Sequence, residues 1–164
     1  MSLFLFQRSS GANTNRKNQP TANFAKISRI LVATDFSDQA TTALEWAQSF
    51  AAAFGAKLVP LHVIDIFSLA ETSCVTAGLD PLPLIREQAQ QRMDGLKQLI
   101  PDAETWVREG SPRPAIVDAA LELKCQMIIM GTHGRSGLAH LLLGSVAEYV
   151  VRNSKVPVLT VRTH

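Results

Sequence analysis

A chain of 164 residues fits one domain and can bury roughly 70% of the surface its unfolded form exposes, so it folds without a structural metal or disulfide. No run approaches the roughly 18 apolar residues of a membrane span, and Cys74 and Cys125 lack C-x-x-C spacing, which points to a reduced, cytoplasmic protein. The net charge of +2 is unevenly placed: residues 1–34 hold five basic side chains (Arg8, Arg16, Lys17, Lys26, Arg29) and no acid, whereas the remainder holds 11 basic and 14 acidic ones, a balance that argues against a nucleic-acid surface.

Residues 1–25 show no hydrophobic periodicity and read as a flexible N-terminal extension ahead of a domain spanning 26–164. Asn, Gly and Pro interrupt any amphipathic helix there, which disfavours a targeting signal. The first strand is Arg29 to Ala33, followed by Thr34-Asp35-Phe36-Ser37. Ser37 suits an N-cap, and Ala40, Leu44, Ala47, Ala51 and Phe54 recur at helical spacing until Gly55, the expected C′ residue. Trp46 and Phe50 are expected to pack and widen that apolar face.

Lys57 to Ile64 forms the second strand, and Pro60 within it predicts a bulge or a place near the sheet edge. Asp65 to Pro83 carries no clear pattern. Pro83 suits the first turn of a helix whose positions Leu84, Ile85, Gln88, Ala89, Met93, Leu96 and Ile100 keep helical spacing. A short strand over 105–109 precedes Gly110-Ser111-Pro112, with Ser111 as N-cap of a helix buried through Ile116, Ala119, Ala120 and Leu123. Val156 to Val161 supplies the last strand. Alternating strands and helices of this kind give an α/β fold: an open, five-stranded parallel sheet with helices on both faces.

The fourth strand, Met127-Ile128-Ile129-Met130, is an unbroken apolar run, as a strand covered on both faces requires. Gly131-Thr132-His133-Gly134 follows, then Gly144-Ser145 at the start of another helix, where Ser145 and Glu148 have capping-box spacing. Glycines permit positive φ and close approach of a ligand to the backbone. A helix start offers unpaired N–H groups and partial positive charge, which favour a phosphate. In doubly wound sheets ligands bind beyond the carboxyl ends of the strands, at the point where strand order reverses.

The spacing Gly131-x2-Gly134-x9-Gly144-Ser145 resembles the nucleotide-binding signature of the universal stress protein family. The resemblance runs from Ile27 to Arg162 and rests also on Ile30 to Ser37, Leu61 to Asp65, Gly110-Ser111-Pro112 and the closing Val156 to Val161. It implies the strand order 3-2-1-4-5 and an adenine nucleotide, ATP or a relative, bound with Mg²⁺. By position it implies that Asp35 lies beside ribose and phosphate and that the backbone of Val63 meets the adenine edge. Gly131, Gly134, Gly144 and Ser145 would form the phosphate and ribose loop. Ala33 stands where relatives often have proline or another small residue beside adenine. Thr34, Met130, Thr132, His133, Arg135 and Val146 complete the implied site. Relatives pair through the last strand, and Val156–Val161 would otherwise expose an apolar edge, so a homodimer is expected.

Three functional readings follow from these residues. The first is a small ATP-binding, nucleotide-responsive stress module, without membrane or nucleic-acid partners. The second is a slow nucleotide hydrolase or nucleotidyl transferase using His133 with Arg135, although no residue set supplies an evident general base. The third is a dimerisation module without a ligand. His62, His133 and His140 lack metal-ligand spacing. No Gly-Lys-Ser/Thr follows the loop, no Gly-x-Gly-x-x-Gly follows the first strand, and Gly134-Arg135-Ser136-Gly137 misses the nucleophile elbow by one position.

Overall fold

A computed structural model of the chain describes residues 26–70, 80–133 and 143–162. Its strands are β1 (Arg29–Ala33), β2 (Lys57–Asp65), β3 (Trp106–Gly110), β4 (Met127–Gly131) and β5 (Val158–Val161), all parallel and in the order β3-β2-β1-β4-β5. The helices are α1 (Asp38–Phe54), α2 (Ile66–Ala70), α3 (Leu82–Leu99), α4 (Pro112–Glu122) and α5 (Ser145–Asn153). The order reverses between β1 and β4, which lie side by side with Ala33 opposite Met130.

The middles of the central strands are apolar because both of their faces are covered. Ile30, Val32, Leu58 and Ile129 join Ala43, Ala47 and Ala51 of α1 on one face. Leu31, Ala33, Leu61, Ile128 and Met130 join Ile116 and Ala120 of α4 and Ala147 and Val150 of α5 on the other. Each fully covered Ile or Leu is stabilising by about 1.5–3 kcal/mol relative to an exposed one. Cys125 is buried in the second layer, and that burial pushes its thiol pKa up, away from the reactive thiolate.

Local signals explain several element ends. The Ser37 hydroxyl accepts from the Ala40 N–H at 3.3 Å, and Gly55, at φ 62°, ends α1 in the left-handed region. Pro112 opens α4 at a position that needs no N–H donor. The Gln126 side-chain oxygen accepts from the backbone N–H groups of Ser28 and Arg29, at 2.9 and 3.0 Å, and so ties the start of β1 to β4.

Pro60 lies in β2, next to the edge strand β3, so the expected place near the sheet edge holds, and its register with β1 runs on without a bulge. The Leu58 carbonyl accepts from Glu104 and the Leu61 carbonyl from Thr34, so by alternation the donorless Pro60 nitrogen faces β3, whose ladder begins only opposite Leu61. Trp46 is 52% exposed and Phe54 44%, against expectation, because alanines fill the close contact with the sheet, whereas Phe50 packs against the core as expected and its ring meets those of Trp46 and Phe54. Leu84, at 58% exposure, likewise stands outside the inner face of α3, where Ala89 and Met93 are buried. Ser111 occupies the N-cap position of α4 as expected, although its side chain makes no cap bond. Ser145 is the first residue of α5 and Gly144 its N-cap, so the reading of Ser145 and Glu148 as a capping box fails; Glu148 pairs with Arg152 at 3.0 Å.

Part of the patternless segment is ordered: Asp65 starts α2 by accepting from the N–H groups of Phe67 and Ser68, both at 3.2 Å. The proposed extension over 1–25 lies outside the described residues. None of the helices among the described residues is long and apolar enough to cross a membrane.

Candidate functional site

A cavity of about 560 Å³ opens above the carboxyl ends of β1, β2 and β4. Ala33, Thr34, Asp35, Val63, Met130, Gly131, Thr132, His133, Gly144, Ser145 and Val146 all line it. Gly134 and Arg135 lie outside the described residues. The adjacency of β1 and β4 brings Thr34-Asp35 beside Gly131-Thr132-His133, segments almost a hundred positions apart in the chain.

The loop after β4 is held by backbone on both sides. The Thr132 N–H donates to the Val161 carbonyl at 2.9 Å, and the Thr132 carbonyl accepts from Gly144 N–H at 2.8 Å. This close return explains Gly144. Its φ of −72° is open to any residue, but an added Cβ would lie 3.1 Å from the Thr132 carbonyl oxygen. Gly131 has a similar reason, since a Cβ there would meet both Gln39 Cβ and the His133 carbonyl oxygen at 3.2 Å. Close packing, rather than positive φ, therefore demands glycine at Gly144.

Gln39 is a site residue that its own sequence context conceals. From the first turn of α1 its side-chain oxygen accepts the His133 N–H at 2.9 Å and the Thr132 hydroxyl at 3.3 Å. Thr132, the buried polar residue of the core, also meets His133 Nδ1 at 3.1 Å. No side chain among the described residues caps α5, and its opening residues Ser145, Val146 and Ala147 line the cavity. A helix start in this position supplies N–H donors and a positive dipole end to whatever fills the cavity.

Asp35 and Phe36 are shaped by a short polar turn. Asp35 Oδ1 accepts from the Ser37 N–H at 3.0 Å and the Ser37 hydroxyl at 2.6 Å. Thr34 Oγ1 accepts from the Phe36 N–H at 3.0 Å, and Phe36 takes φ 63°, a conformation uncommon for a bulky side chain. His62 Nδ1 lies 2.8 Å from the Thr34 carbonyl; a carbonyl only accepts, so Nδ1 carries the proton. Asp65, Ser68, Gln88 and Arg92 extend the wall along α2 and α3. Among the described residues no group of three or more His, Cys, Asp or Glu is arranged to hold a metal ion.

Known proteins share this fold. Residues 26–162 match the model of the Universal stress protein family. Universal stress protein MJ0531 of Methanocaldococcus jannaschii is 33% identical over 141 residues, covering 82% of this chain and 81% of the relative. Universal stress protein MJ0577 of the same organism is 34% identical over 155 residues, covering 82% and 94%, and its solved structure superimposes with a TM-score of 0.74 over 85% of this chain and 98% of that one. A universal stress protein solved in complex with cAMP is 31% identical, with a TM-score of 0.55 over 82% and 95% of the two chains.

Proposed function

The chain belongs to the universal stress protein family, and from that premise we propose that it binds an adenine nucleotide, ATP in the first instance, and acts as a small nucleotide-responsive regulatory module. The observation that carries this reading is the meeting, in one cavity at the β1/β4 switch point, of Asp35 and Val63 with the start of α5. The cavity's volume falls within the roughly 300–1,000 Å³ usual for small-molecule sites. The cAMP complex of a relative supports the adenine class.

In this reading Ala33, Val63 and Met130 flank the base and Asp35 accepts from the ribose hydroxyls. The backbone N–H groups of Ser145 and Val146 at the head of α5 receive the phosphates, Gly131, Thr132, His133 and Gly144 form the wall beneath them, and Gly134 and Arg135 complete the proposed set. Mg²⁺ would arrive with the nucleotide, since phosphates and water satisfy most of its octahedral demand, and Asp35 could hold it through water in place of the ribose contact. The bound metal would neutralise phosphate charge. The reading assigns binding rather than turnover.

We further propose a cytoplasmic homodimer that pairs through Val156–Val161, because β5 ends the sheet and an unpaired edge invites a second strand. The described domain and the 1–25 extension are proposed as separate parts of the chain.

The test is to denature freshly purified protein, identify any released nucleotide, and repeat with Gly144→Val. Recovery of an adenine nucleotide from the wild type, and its loss from a folded variant, are the expected results. A wild type that neither carries nor binds adenine nucleotides at any magnesium concentration would sink the proposal.

A further inference from the structure

The cavity reaches both faces of the sheet. Val63 and Leu61 point toward α4 and α5, whereas His62, Phe36 and the α3 residues lie on the opposite face. On that second face stands Arg92, the one lysine or arginine among the described residues that line the cavity. Its guanidinium carbon lies 5.2 Å from the centre of the Phe36 ring. The ring in turn packs on His62, with centroids 4.6 Å apart.

Three features make this placement specific. Arg86, on the same helix, spends its charge in a bidentate pair with Glu109, but Arg92 forms no ion pair with any described carboxylate. Asp35 and Asp65 line the same cavity, so a phosphate entering it meets two negative groups, and a cation on the same wall lowers that repulsion. Finally, the left-handed backbone at Phe36 delivers the ring on which the guanidinium rests. A guanidinium over an aromatic face gains a cation–π contact and still has N–H donors to offer an oxyanion.

We infer that Arg92, stacked on Phe36, is the specificity-determining residue that reads the phosphate charge of the ligand, so that preference for a nucleotide over its nucleoside depends on it. The inference rests on the nucleotide reading of the cavity. It adds a contact from α3, an element that contributes nothing to the glycine loop.

The experiment compares wild type with Arg92→Met, which keeps the apolar stem and removes the charge, and with Arg92→Lys. Each is titrated with Mg-ATP, adenosine and inorganic tripolyphosphate at two ionic strengths, with circular dichroism as the fold control. The expected result is an about tenfold loss of ATP affinity in R92M, the size of one hydrogen bond to a charged group. Adenosine affinity should not change, the salt dependence should be shallower, and R92K should recover part of the loss. An ATP-to-adenosine ratio unchanged in R92M overturns the inference and leaves nucleotide binding standing. Tripolyphosphate binding in a protein that takes no nucleotide removes the adenine reading and overturns the inference with it. A wild type that binds none of the three overturns both.

Discussion

The Gln39 side-chain oxygen accepts the backbone N–H of His133 at 2.9 Å, across 94 positions of chain. One amide thereby fastens the first turn of α1 to the loop that follows β4, beside the Thr132 hydroxyl at 3.3 Å. In Gln39→Ala this half-buried N–H loses the acceptor, at a cost of about 1–2 kcal/mol. Urea unfolding should show the lower midpoint, and equilibrium dialysis a several-fold weaker ATP complex. Gln39→Glu keeps an acceptor in place and should retain most of the stability. Unaltered midpoint and affinity in Gln39→Ala would count against the role.

Gly131 and Gly55 should respond to alanine for opposite reasons. At Gly131 the added Cβ meets Gln39 and His133 at 3.2 Å, an overpacking worth about 1–3 kcal/mol. At Gly55 nothing lies within 4 Å of an added Cβ, yet φ is 62°, so the cost is conformational and about 1 kcal/mol. Denaturant midpoints should fall for both, but nucleotide release should rise only for Gly131→Ala.

Ser37 serves two neighbours, capping Ala40 and donating to Asp35. Ser37→Ala should cost about 1 kcal/mol as a lost N-cap and should also loosen the Asp35 carboxylate. Thermal unfolding measures the first effect. The magnesium dependence of ATP binding measures the second, and an unchanged dependence would separate Asp35 from the metal.

Acid sensitivity should arise partly at the far end of the sheet. The Arg29 guanidinium, hydrogen-bonded to Glu104 at 2.9 Å, holds that carboxyl below its ordinary value of 4.5. A depressed carboxyl contributes stability that is present above the ordinary value and is lost as pH falls through the folded one. Glu104→Gln should therefore flatten the stability profile below about pH 4.5 and change its shape little near neutrality. The effect is modest, because the pair is partly exposed. Equal acid slopes in both proteins would exclude it.

The sheet was legible in the sequence because strands covered on both faces must be apolar at every position, as Ile30 to Ala33 and Met127 to Met130 are. The strand order was not, since hydrophobic patterning says nothing about which strands are neighbours; it came from the resemblance to universal stress proteins. Ser145 misled because Ser-x-x-Glu spacing survives a shift of one residue, and Gly144 takes the cap. Trp46 misled because size was allowed to outweigh geometry on a helix whose inner face is alanine. Gln39, Phe36 and Arg92 gave no local signal at all: each becomes informative only beside a partner from another element, and chain order hides that proximity.

Thr132 gives its N–H to Val161 at the sheet edge and its carbonyl to Gly144 at the start of α5. One peptide residue is thus a short mechanical link from the outermost strand to the helix that opens on the cavity. Any displacement of β5 along the sheet must either stretch the 2.9 Å bond to Thr132 or carry Thr132 with it, and the 2.8 Å bond then moves the head of α5. The edge strand and the head of α5 are therefore hydrogen-bonded to the same residue, and any coupling of binding at one to binding at the other is reciprocal.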